Sequence, residues 1–411
     1  MSHHPEHTWG HTVPFGEAYH NRAVETLEEL HGQAGLIAEV AGKAVEALRG
    51  GNKVYANVVT GHMPTYELVN EREGNPALFE FTGSDMCTPE QYAAMRPGDV
   101  LMTNRVDHEV RLARDRGVYV YVFTTCYTNN RWAPEGKVNP NPDNLMPEDV
   151  ASQVIQTPIP WDQGLIHIPE IPYMALFPGS ANVSCSIHWM VTAEVAQALA
   201  TGGTPDGVMG KAYLEILLNR LTAIKTAYGN RLRETAVVMA NRIIGGGRYW
   251  VKGRNEGVAS EVSGVAQGLM MANGFEPRPA AEGGDRDIFL VTAVSRNDAT
   301  DVALAETARG NGNLILGIGP GGNDQLEQLC DGYFHDYCPE DAGVLAIEGR
   351  TDKICPATGI LNNILVQSLS AQMVDEMCRR GAVPYFYMGV YRVGGGTYNG
   401  FMSPYFRERG Y

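Results

Sequence analysis

The chain has 411 residues, of which 44% are hydrophobic and 19% are charged, and its formal net charge is −15. The acidic balance argues against nucleic-acid binding, which needs a basic footprint. The sequence has no run of about eighteen apolar residues, the length that a membrane-spanning helix needs. Seven cysteines without CxxC spacing, and an N-terminus without the apolar core of a secretory signal, predict a cytoplasmic protein.

A histidine-rich arm occupies residues 1–16, and we assign no metal site to it. Apolar residues then recur at three- and four-residue steps over 17–49 and stop at Gly50 and Gly51, which predicts a long helix that ends at glycine. The stretch NKVYANVV predicts a buried strand, and it leads into the loop TGHMPTYELV.

Three more strands and a helix complete the first half. We predict the strands at 98–104, 118–125 and 165–170, and the helix opens at Ser180 in the turn FPGSANVS. Between the last two of these strands, residues 126–164 are rich in Pro and Asn. They predict an insertion that serves as a lid, an interface loop or a decoration.

The same order of elements returns in the second half. A first helix at 211–244 stops at three glycines, and a last helix opens at Thr358. Between them we predict four strands, at RYWVKG, 286–294, 313–319 and 343–349. Strands that alternate with helices indicate βαβ units, so the fold class is α/β with parallel sheets covered on both faces. The repetition indicates an internal duplication. We predict domains at 17–205 and 206–384 and a C-terminal tail at 385–411.

This order resembles the phosphosugar-binding domains of the sugar isomerase (SIS) family, present twice as in the isomerase half of glucosamine-6-phosphate synthase. The loop VVTGHMPTYELV is similar to the family's first loop, and the tail RGAVPYFYMGVYRVGGGTYN is similar to that of uncharacterised SIS proteins. The resemblance implies two flavodoxin-like, three-layer α/β/α domains. It also implies a sugar or sugar-phosphate ligand.

A candidate anion site lies where the helix after the 286–294 strand begins. The sequence gathers Ser295, Arg296, Asn297 and Thr300 there, at the position of the family's phosphate loop. The first N–H groups of a helix lack internal partners and attract anions, and arginine can bind phosphate through two hydrogen bonds. The alternative is that Ser295 and Asn297 only cap the helix.

The corresponding loop of the first half, TNRVDHE, is shorter and contains no serine. Arg105 could still contact an anion, although Asp107 and Glu109 would repel one. His108 lies between these two acids and is a candidate acid or metal ligand. The alternative is a solvated helix start with acidic residues in its first turn.

The loops that follow the first strand of each half offer candidates for chemistry. Gly61 would let a substrate approach the backbone. His62 could open a sugar ring or transfer a proton, with a purely structural histidine as the alternative. In the second half, Arg254, Asn255 and Glu256 surround the equivalent point.

The resemblance implies a general-base glutamate on the following helix. Glu73 falls there, with Glu67 and Glu71 as alternatives, whereas the second half holds Gln267, which cannot act as a base. The His-Gly-Pro segment of glucosamine-6-phosphate synthase is missing, which argues against that enzyme's own catalytic residues.

Two further substrate-binding candidates open the last helix of each half. Ser180 and Thr358 each lie two residues beyond a proline, and the resemblance implies that this turn faces the sugar. The alternative is that both are ordinary N-caps.

We therefore expect an isomerase that interconverts aldoses and ketoses by proton transfer through an enediolate. The second half would hold the anion, and His62, Glu73 and His108 of the first half would transfer protons. The alternatives are a sugar-phosphate sensor without catalysis and a metal-dependent enzyme. The stretch GIGPGG lacks the downstream acid of a dinucleotide site, so we expect no cofactor. We expect a homodimer or homotetramer, with neither a nucleic-acid nor a membrane partner.

Overall fold

Two parallel β-sheets, one in each half of the chain, organise the fold. The computed structural model describes residues 13–58, 62, 65–82, 88–123, 145–160, 163–254, 256–338, 342–390 and 392–411. None of the helices in these ranges is long and apolar enough to cross a membrane.

The first half begins with a long, nearly continuous helix. A 3-10 turn at Leu30–Gln33 separates α1 (Phe15–Glu29) from α2 (Ala34–Arg49), and the helix ends at Gly50, as predicted. The other helices are α3 (Pro89–Ala94), α4 (His108–Asp115), α5 (Pro147–Val150) and α6 (Ser180–Thr201). The strands are β1 (Val54–Asn57), β2 (Glu80–Phe81), β3 (Val100–Thr103), β4 (Tyr119–Phe123), β5 (Gln153–Ile155), β6 (Gly164–Ile168) and β7 (Ile171–Pro178).

The second half opens on a single unbroken helix, α7 (Val208–Ile244), which ends at the predicted glycines. Its other helices are α8 (Glu256–Val262), α9 (Ala299–Gly310), α10 (Asp324–Leu329), α11 (Thr358–Cys378) and, in the tail, α12 (Gly395–Arg409). The strands are β8 (Tyr249–Lys252), β9 (Ile288–Thr292), β10 (Leu314–Gly319) and β11 (Gly332–His335).

Every strand pair within the two main sheets is parallel. The first sheet has five strands in the order β2-β1-β3-β4-β5, and the second has four in the order β11-β10-β9-β8. The predicted α/β class with two parallel sheets is thus confirmed.

Of the predicted strands, 165–170 is present as β6 but lies outside the parallel sheets, and 343–349 is not a strand. Residues 165–170 lie in an antiparallel hairpin of β6 with β7, and residues 343–349 form a short antiparallel bridge in which Leu345 pairs with Ile354. The edge strands of the sheets are instead β5, inside the predicted insertion, and β11. An apolar run predicts burial but does not reveal which strand it pairs with.

The helices α6 and α11, which are buried along most of their length, lie at the centre of the molecule. The first helix of each half packs against the last helix of the other half. The N–H of Gly16 donates to Gln372 of α11 at 3.3 Å, and that of Gly210 donates to Glu194 of α6 at 2.8 Å. The two halves are therefore interlocked through their longest helices.

Equivalent hydrogen bonds support the duplication. Tyr19 donates its hydroxyl to Pro178 O at 3.0 Å, and Tyr213 donates its hydroxyl to Pro356 O at 2.7 Å. The residue before each proline has a left-handed backbone, with φ of 60° at both Phe177 and Cys355. A non-glycine residue rarely adopts this conformation. The starts of α6 and α11 are thus built in the same unusual way.

Candidate functional site

A segment of the first half, residues 65–79, precedes β2 and reaches the start of α11 in the second half. Its fully buried Glu67 and Arg72 form an ion pair, with Arg72 Nε 3.2 Å from Glu67 Oε1. The indole N–H of Trp189 donates to the other carboxylate oxygen at 3.1 Å. A side chain at position 359 would collide with Glu67, so Gly359 is needed at the first turn of α11. A buried charge pair of this loop thus packs directly against the first turn of α11.

The same loop places Glu73 against a loop of the second half. Arg254, which follows β8, lies with Nη2 at 2.9 and 3.0 Å from the two carboxylate oxygens of Glu73. Tyr66 donates its hydroxyl to Glu73 at 2.9 Å. The Tyr66 ring lies between two guanidinium groups, 5.2 Å from that of Arg254 and 5.5 Å from that of Arg72. The cluster joins the two halves and is partly open, since the side chain of Glu73 is 35% exposed.

Electrostatics keep the Glu73 carboxyl ionised. Partial burial alone would raise its pKa, but hydrogen bonds from the backbone, Arg254 and Tyr66 outweigh burial and hold the pKa below its ordinary value. Burial and the hydrogen bond to Glu73 raise the pKa of Tyr66 to about 12. At neutral pH the cluster therefore holds a carboxylate, a neutral phenol and two guanidinium groups.

The predicted anion loop precedes α9, and Asp298 is the N-cap. Its carboxylate accepts hydrogen bonds from the backbone N–H groups of Thr300 at 2.9 Å and Asp301 at 3.3 Å. Arg254 Nη1 lies 3.3 Å from Asp298. The helix is capped, but the alternative named the wrong residues, because the N-cap is Asp298 and neither Ser295 nor Asn297. A carboxylate of the protein already satisfies donors that an anion would use.

The rest of this loop is tied to the turn after β10. Arg296 donates its Nε–H to Gly321 O at 2.7 Å, and Asn297 Oδ1 accepts from the N–H of Gln325 at 3.1 Å. Ser295 is half-buried, and Thr300 is exposed. Two hydrogen bonds thus join the loop to the region after β10, and Arg296 lines a cleft.

That cleft lies at the carboxyl ends of β10 and β11 and has a volume of about 600 Å³. Its lining consists of aromatic, basic and small residues: Tyr228, Arg296, Gly321, His335, Tyr337 and Cys338. The Tyr228 and Tyr337 ring centroids are 6.0 Å apart, and Tyr337 has a left-handed φ of 59°. In open parallel sheets, ligands bind outside the carboxyl ends of the strands.

Behind this lining lies a buried acid, Asp336, which has no solvent exposure. Burial raises its pKa to about 7, although the charges of Arg220, Arg72 and Arg296 lower it. Neither Asp336 Oδ2 nor Arg72 Nη2 has a hydrogen-bond partner among the described residues. These two buried polar atoms are candidates for contact with water or with a ligand at this edge of the sheet.

His62 lies at the start of α6, within the first half. Its Nδ1 lies 3.2 Å from Ser180 Oγ, and Ser180 donates its hydroxyl to Gln163 Oε1 at 2.8 Å. Burial lowers the pKa of His62 to about 4. Because the Ser180 proton points to Gln163, we assign the His62 proton to Nδ1. Ser180 is not a cap, since α6 has no side-chain cap hydrogen bond.

Arg105 and His108 lie at the carboxyl end of the first sheet. Arg105 Nε lies 2.7 Å from Asp107, which caps α4 by accepting from the N–H of Val110. His108 is exposed, and Arg111 Nη2 contacts its Nδ1 at 2.9 Å. The structure thus contains the acidic helix start that was the alternative for this loop.

No protein-family model matches the chain. A UPF0309 protein of Streptomyces griseus is 20% identical over 245 residues, 50% of this chain and 97% of that protein. Solved structures cover more of the chain. A tagatose-6-phosphate ketose/aldose isomerase from Escherichia coli is 14% identical, with 92% of this chain and 94% of that one covered and a TM-score of 0.47.

Two other structures have similar coverage. A protein from Silicibacter pomeroyi assigned as a phosphosugar isomerase is 15% identical and covers 90% of this chain and 99% of its own, with a TM-score of 0.48. The C-terminal domain of a glucosamine-fructose-6-phosphate aminotransferase from Francisella tularensis is 9% identical, with a TM-score of 0.43. The match covers 86% of this chain and 96% of that domain. Two of these three structures are named as phosphosugar isomerases, and the third is a domain of an aminotransferase that acts on a phosphosugar. The likeness is one of fold.

The predicted site residues fall into separate groups. Glu73 and Arg254 are in contact across the halves, and His62 contacts Ser180. Thr358 is buried at the start of α11. Gly61, Asn255 and the side chain of Glu256 lie outside the described part of the chain.

Of the alternative bases, Glu67 is buried against Arg72, and Glu71 is exposed. The predicted match of Glu73 with Gln267 is displaced by one residue. Gly74 O accepts from Cys355 N at 2.9 Å, and Gln267 O accepts from Phe177 N at 3.1 Å. Gly74 and Gln267 also share a left-handed backbone, so Gln267 corresponds to Gly74.

The sequence reading missed several polar residues that line or support the site. They are Tyr66, Arg72, Gln163, Asp298, Asp301 and Asp336. Acidic residues at a helix start could have indicated Asp298, but the cross-half contacts of Tyr66 and Arg72 have no local pattern. Within the described ranges, no group of three or more His, Cys, Asp or Glu residues could hold a metal ion.

Proposed function

We propose that the protein binds a phosphorylated sugar and interconverts its aldose and ketose forms. The observation that carries the proposal is Glu73, a partly exposed carboxylate that the first half holds against Arg254 of the second half. Arg254 follows β8, and Arg296 follows β9. Because carboxyl ends of parallel strands meet at one edge, a possible base and the cleft share that edge.

The cleft suits a small anionic ligand. Its volume of about 600 Å³ is in the range of small-molecule sites. Arg296 supplies a fixed positive charge, and Tyr228 and Tyr337 supply aromatic faces against which a sugar ring can pack.

The chemistry needs a base, charge stabilisation and a proton transfer between two oxygens. Glu73 would remove the proton from the carbon next to the carbonyl group, exchange it in part with solvent, and return a proton to the adjacent carbon. The hydroxyl proton of the first carbon would pass to the former carbonyl oxygen, which completes the isomerisation. Arg72, whose buried Nη2 has no hydrogen-bond partner among the described residues, would stabilise the negative oxygen of the enediolate. His62 is neutral at pH 7, since its pKa is about 4, and could accept and return the hydroxyl proton during ring opening.

A sugar-phosphate sensor without catalysis is the second candidate. It is favoured by the pairing of Glu73 with Arg254 and by the Asp298 carboxylate at the start of α9. Both contacts occupy groups that an isomerase would use.

The test begins with a thermal-shift screen of phosphosugars, followed by NMR of each ligand with the protein in D₂O. Isomerisation through an enediolate incorporates solvent deuterium at the carbon that receives the proton. The double variant Ser295→Ala, Arg296→Ala should weaken phosphosugar binding by roughly tenfold or more, because charge-assisted hydrogen bonds contribute about 1.5–3 kcal/mol. Binding without any conversion or deuterium incorporation would favour the sensor. Unchanged affinity in the double variant would show that the anionic group of the ligand does not bind at this loop.

A further inference from the structure

The Glu73–Arg254 pair is more than a surface ion pair. Arg254 Nη2 contacts both oxygens of one carboxylate, at 2.9 and 3.0 Å. The two residues belong to different halves, and each is partly exposed, with 26% of the Arg254 side chain and 35% of the Glu73 side chain accessible. Both side chains are therefore partly accessible to solvent.

Arg254 has anchors that do not depend on Glu73, including the contact of its Nη1 with Asp298 at 3.3 Å. The backbone N–H of Arg254 donates to the buried Asp301 at 2.6 Å, and its guanidinium lies over the Tyr66 ring. Glu73 is bound through its side-chain carboxylate, by Arg254, Tyr66 and more weakly by Arg72 at 3.4 Å. A rotation about side-chain bonds would release Glu73 from Arg254 without moving the backbone.

We infer that Glu73 occupies the place of the substrate's anionic group on Arg254, and that the ligand displaces it. This inference rests on the proposed function. Carboxylates and phosphates bind a guanidinium group in the same two-bond geometry. A phosphate that arrives at the end of β8 can therefore take over the donors that Glu73 uses in the ligand-free protein.

The exchange would couple binding to base strength. Arg254 is one of the groups that lower the pKa of Glu73. When its charge is neutralised by a phosphate, the Glu73 carboxylate becomes more basic, and the nearby phosphate raises its proton affinity further. The hydroxyl of Tyr66 remains as a partner that keeps the released carboxylate in place. The base would thus be activated only when an anionic ligand is bound.

The test is calorimetric titration with inorganic phosphate. Glu73→Gln removes the competing charge while preserving the shape of the side chain, and we expect it to bind phosphate about tenfold more tightly than the unmodified protein. Tyr66→Phe, which loosens Glu73, should tighten binding by less. Glu71→Gln is the matched control, because Glu71 is an exposed acid of the same loop and has no role in the proposed site.

Two outcomes would overturn the inference. One is that Glu73→Gln binds phosphate no more tightly than Glu71→Gln, with thermal unfolding confirming that both are folded. The other is that none of the variants binds phosphate. Tighter binding in Glu73→Gln without phosphosugar conversion by the unmodified protein would support the exchange and overturn the isomerase. The two failures are therefore distinguishable.

Discussion

The starts of the two central helices share a backbone but differ in chemistry. Each follows a left-handed residue and a proline whose carbonyl accepts from a tyrosine, Tyr19 for α6 and Tyr213 for α11. The start of α6 meets His62, which burial keeps neutral at pH 7. The start of α11 meets the buried ion pair of Glu67 with Arg72.

A second contrast separates two buried glutamates. Glu67 has both a guanidinium and an indole partner. Glu261 of α8 is equally buried, but neither of its two carboxyl oxygens has a hydrogen-bond partner among the described residues. Burial raises the pKa of this carboxyl to about 8. The two helix starts thus share a backbone frame, and the paired charges lie where the first half meets α11.

The largest expected effect comes from breaking the charged start of α11. Arg72→Met fills the volume but leaves the Glu67 carboxylate buried without its cation. We expect a loss of about 3–5 kcal/mol in the free energy of unfolding, measured with urea. The double variant Arg72→Met, Glu67→Gln should recover most of it.

The matched control is Arg22→Met, which removes a surface partner of Glu25 and should cost less than about 0.5 kcal/mol. Equal costs for the two single variants would mean that the loop is not anchored by charge.

The second effect concerns the pH dependence of stability through Glu261. Burial raises the pKa of the Glu261 carboxyl to about 8 in the folded protein, from an ordinary value of 4.5. Below the lower value the carboxyl is protonated in both states. As the pH rises between the two values, only the unfolded state releases the proton, so stability falls by up to about 1.4 kcal/mol per pH unit.

Glu261→Gln lacks this loss. The difference in free energy of unfolding between the variant and the unmodified protein should therefore grow in favour of the variant from pH 5 to pH 8 and then level off. Urea unfolding at several pH values measures it. Asp301 and Asp336, whose raised pKa values act in the same direction, remain in both proteins. An advantage independent of pH would mean that Glu261 has a partner that keeps it charged.

The smallest effect compares the two equivalent tyrosines. Tyr213→Phe removes the bond to Pro356, and Tyr19→Phe removes both the bond to Pro178 and the acceptor for Asn182. We expect losses of about 1 kcal/mol for Tyr213→Phe and about 2 kcal/mol for Tyr19→Phe. Chemical denaturation of both variants measures the difference, and a larger loss for Tyr213→Phe would show that the two starts are not equivalent.

Periodicity was enough to predict most of the frame. The long helices, the glycines that end them and the strands β1, β3, β4, β8, β9 and β10 follow from apolar spacing and stop signals. Three edge strands, β2, β5 and β11, were missed; β2 has only two residues, and β5 has three and lies in a Pro-rich region. The hairpin of β6 with β7 was missed because a strand's partner is set by tertiary contacts.

The site was predictable only in part. Glu73 and Arg254 were named separately, from their places after the first strands. Their contact joins residues far apart in the sequence, and a single sequence has no signal for such a pair. The same holds for Arg72. The Asp298 cap was local and could have been found, since aspartate directly precedes the helix.

The central claim is that a carboxylate of the first half does chemistry on a ligand held by the second half. Steady-state kinetics of Glu73→Gln, on the phosphosugar identified by the screen, test it most directly. We predict that kcat falls by about 10²–10⁴-fold and that the affinity for the phosphosugar, measured by calorimetry, is not weakened. A kcat within about twofold of the unmodified protein would contradict the account.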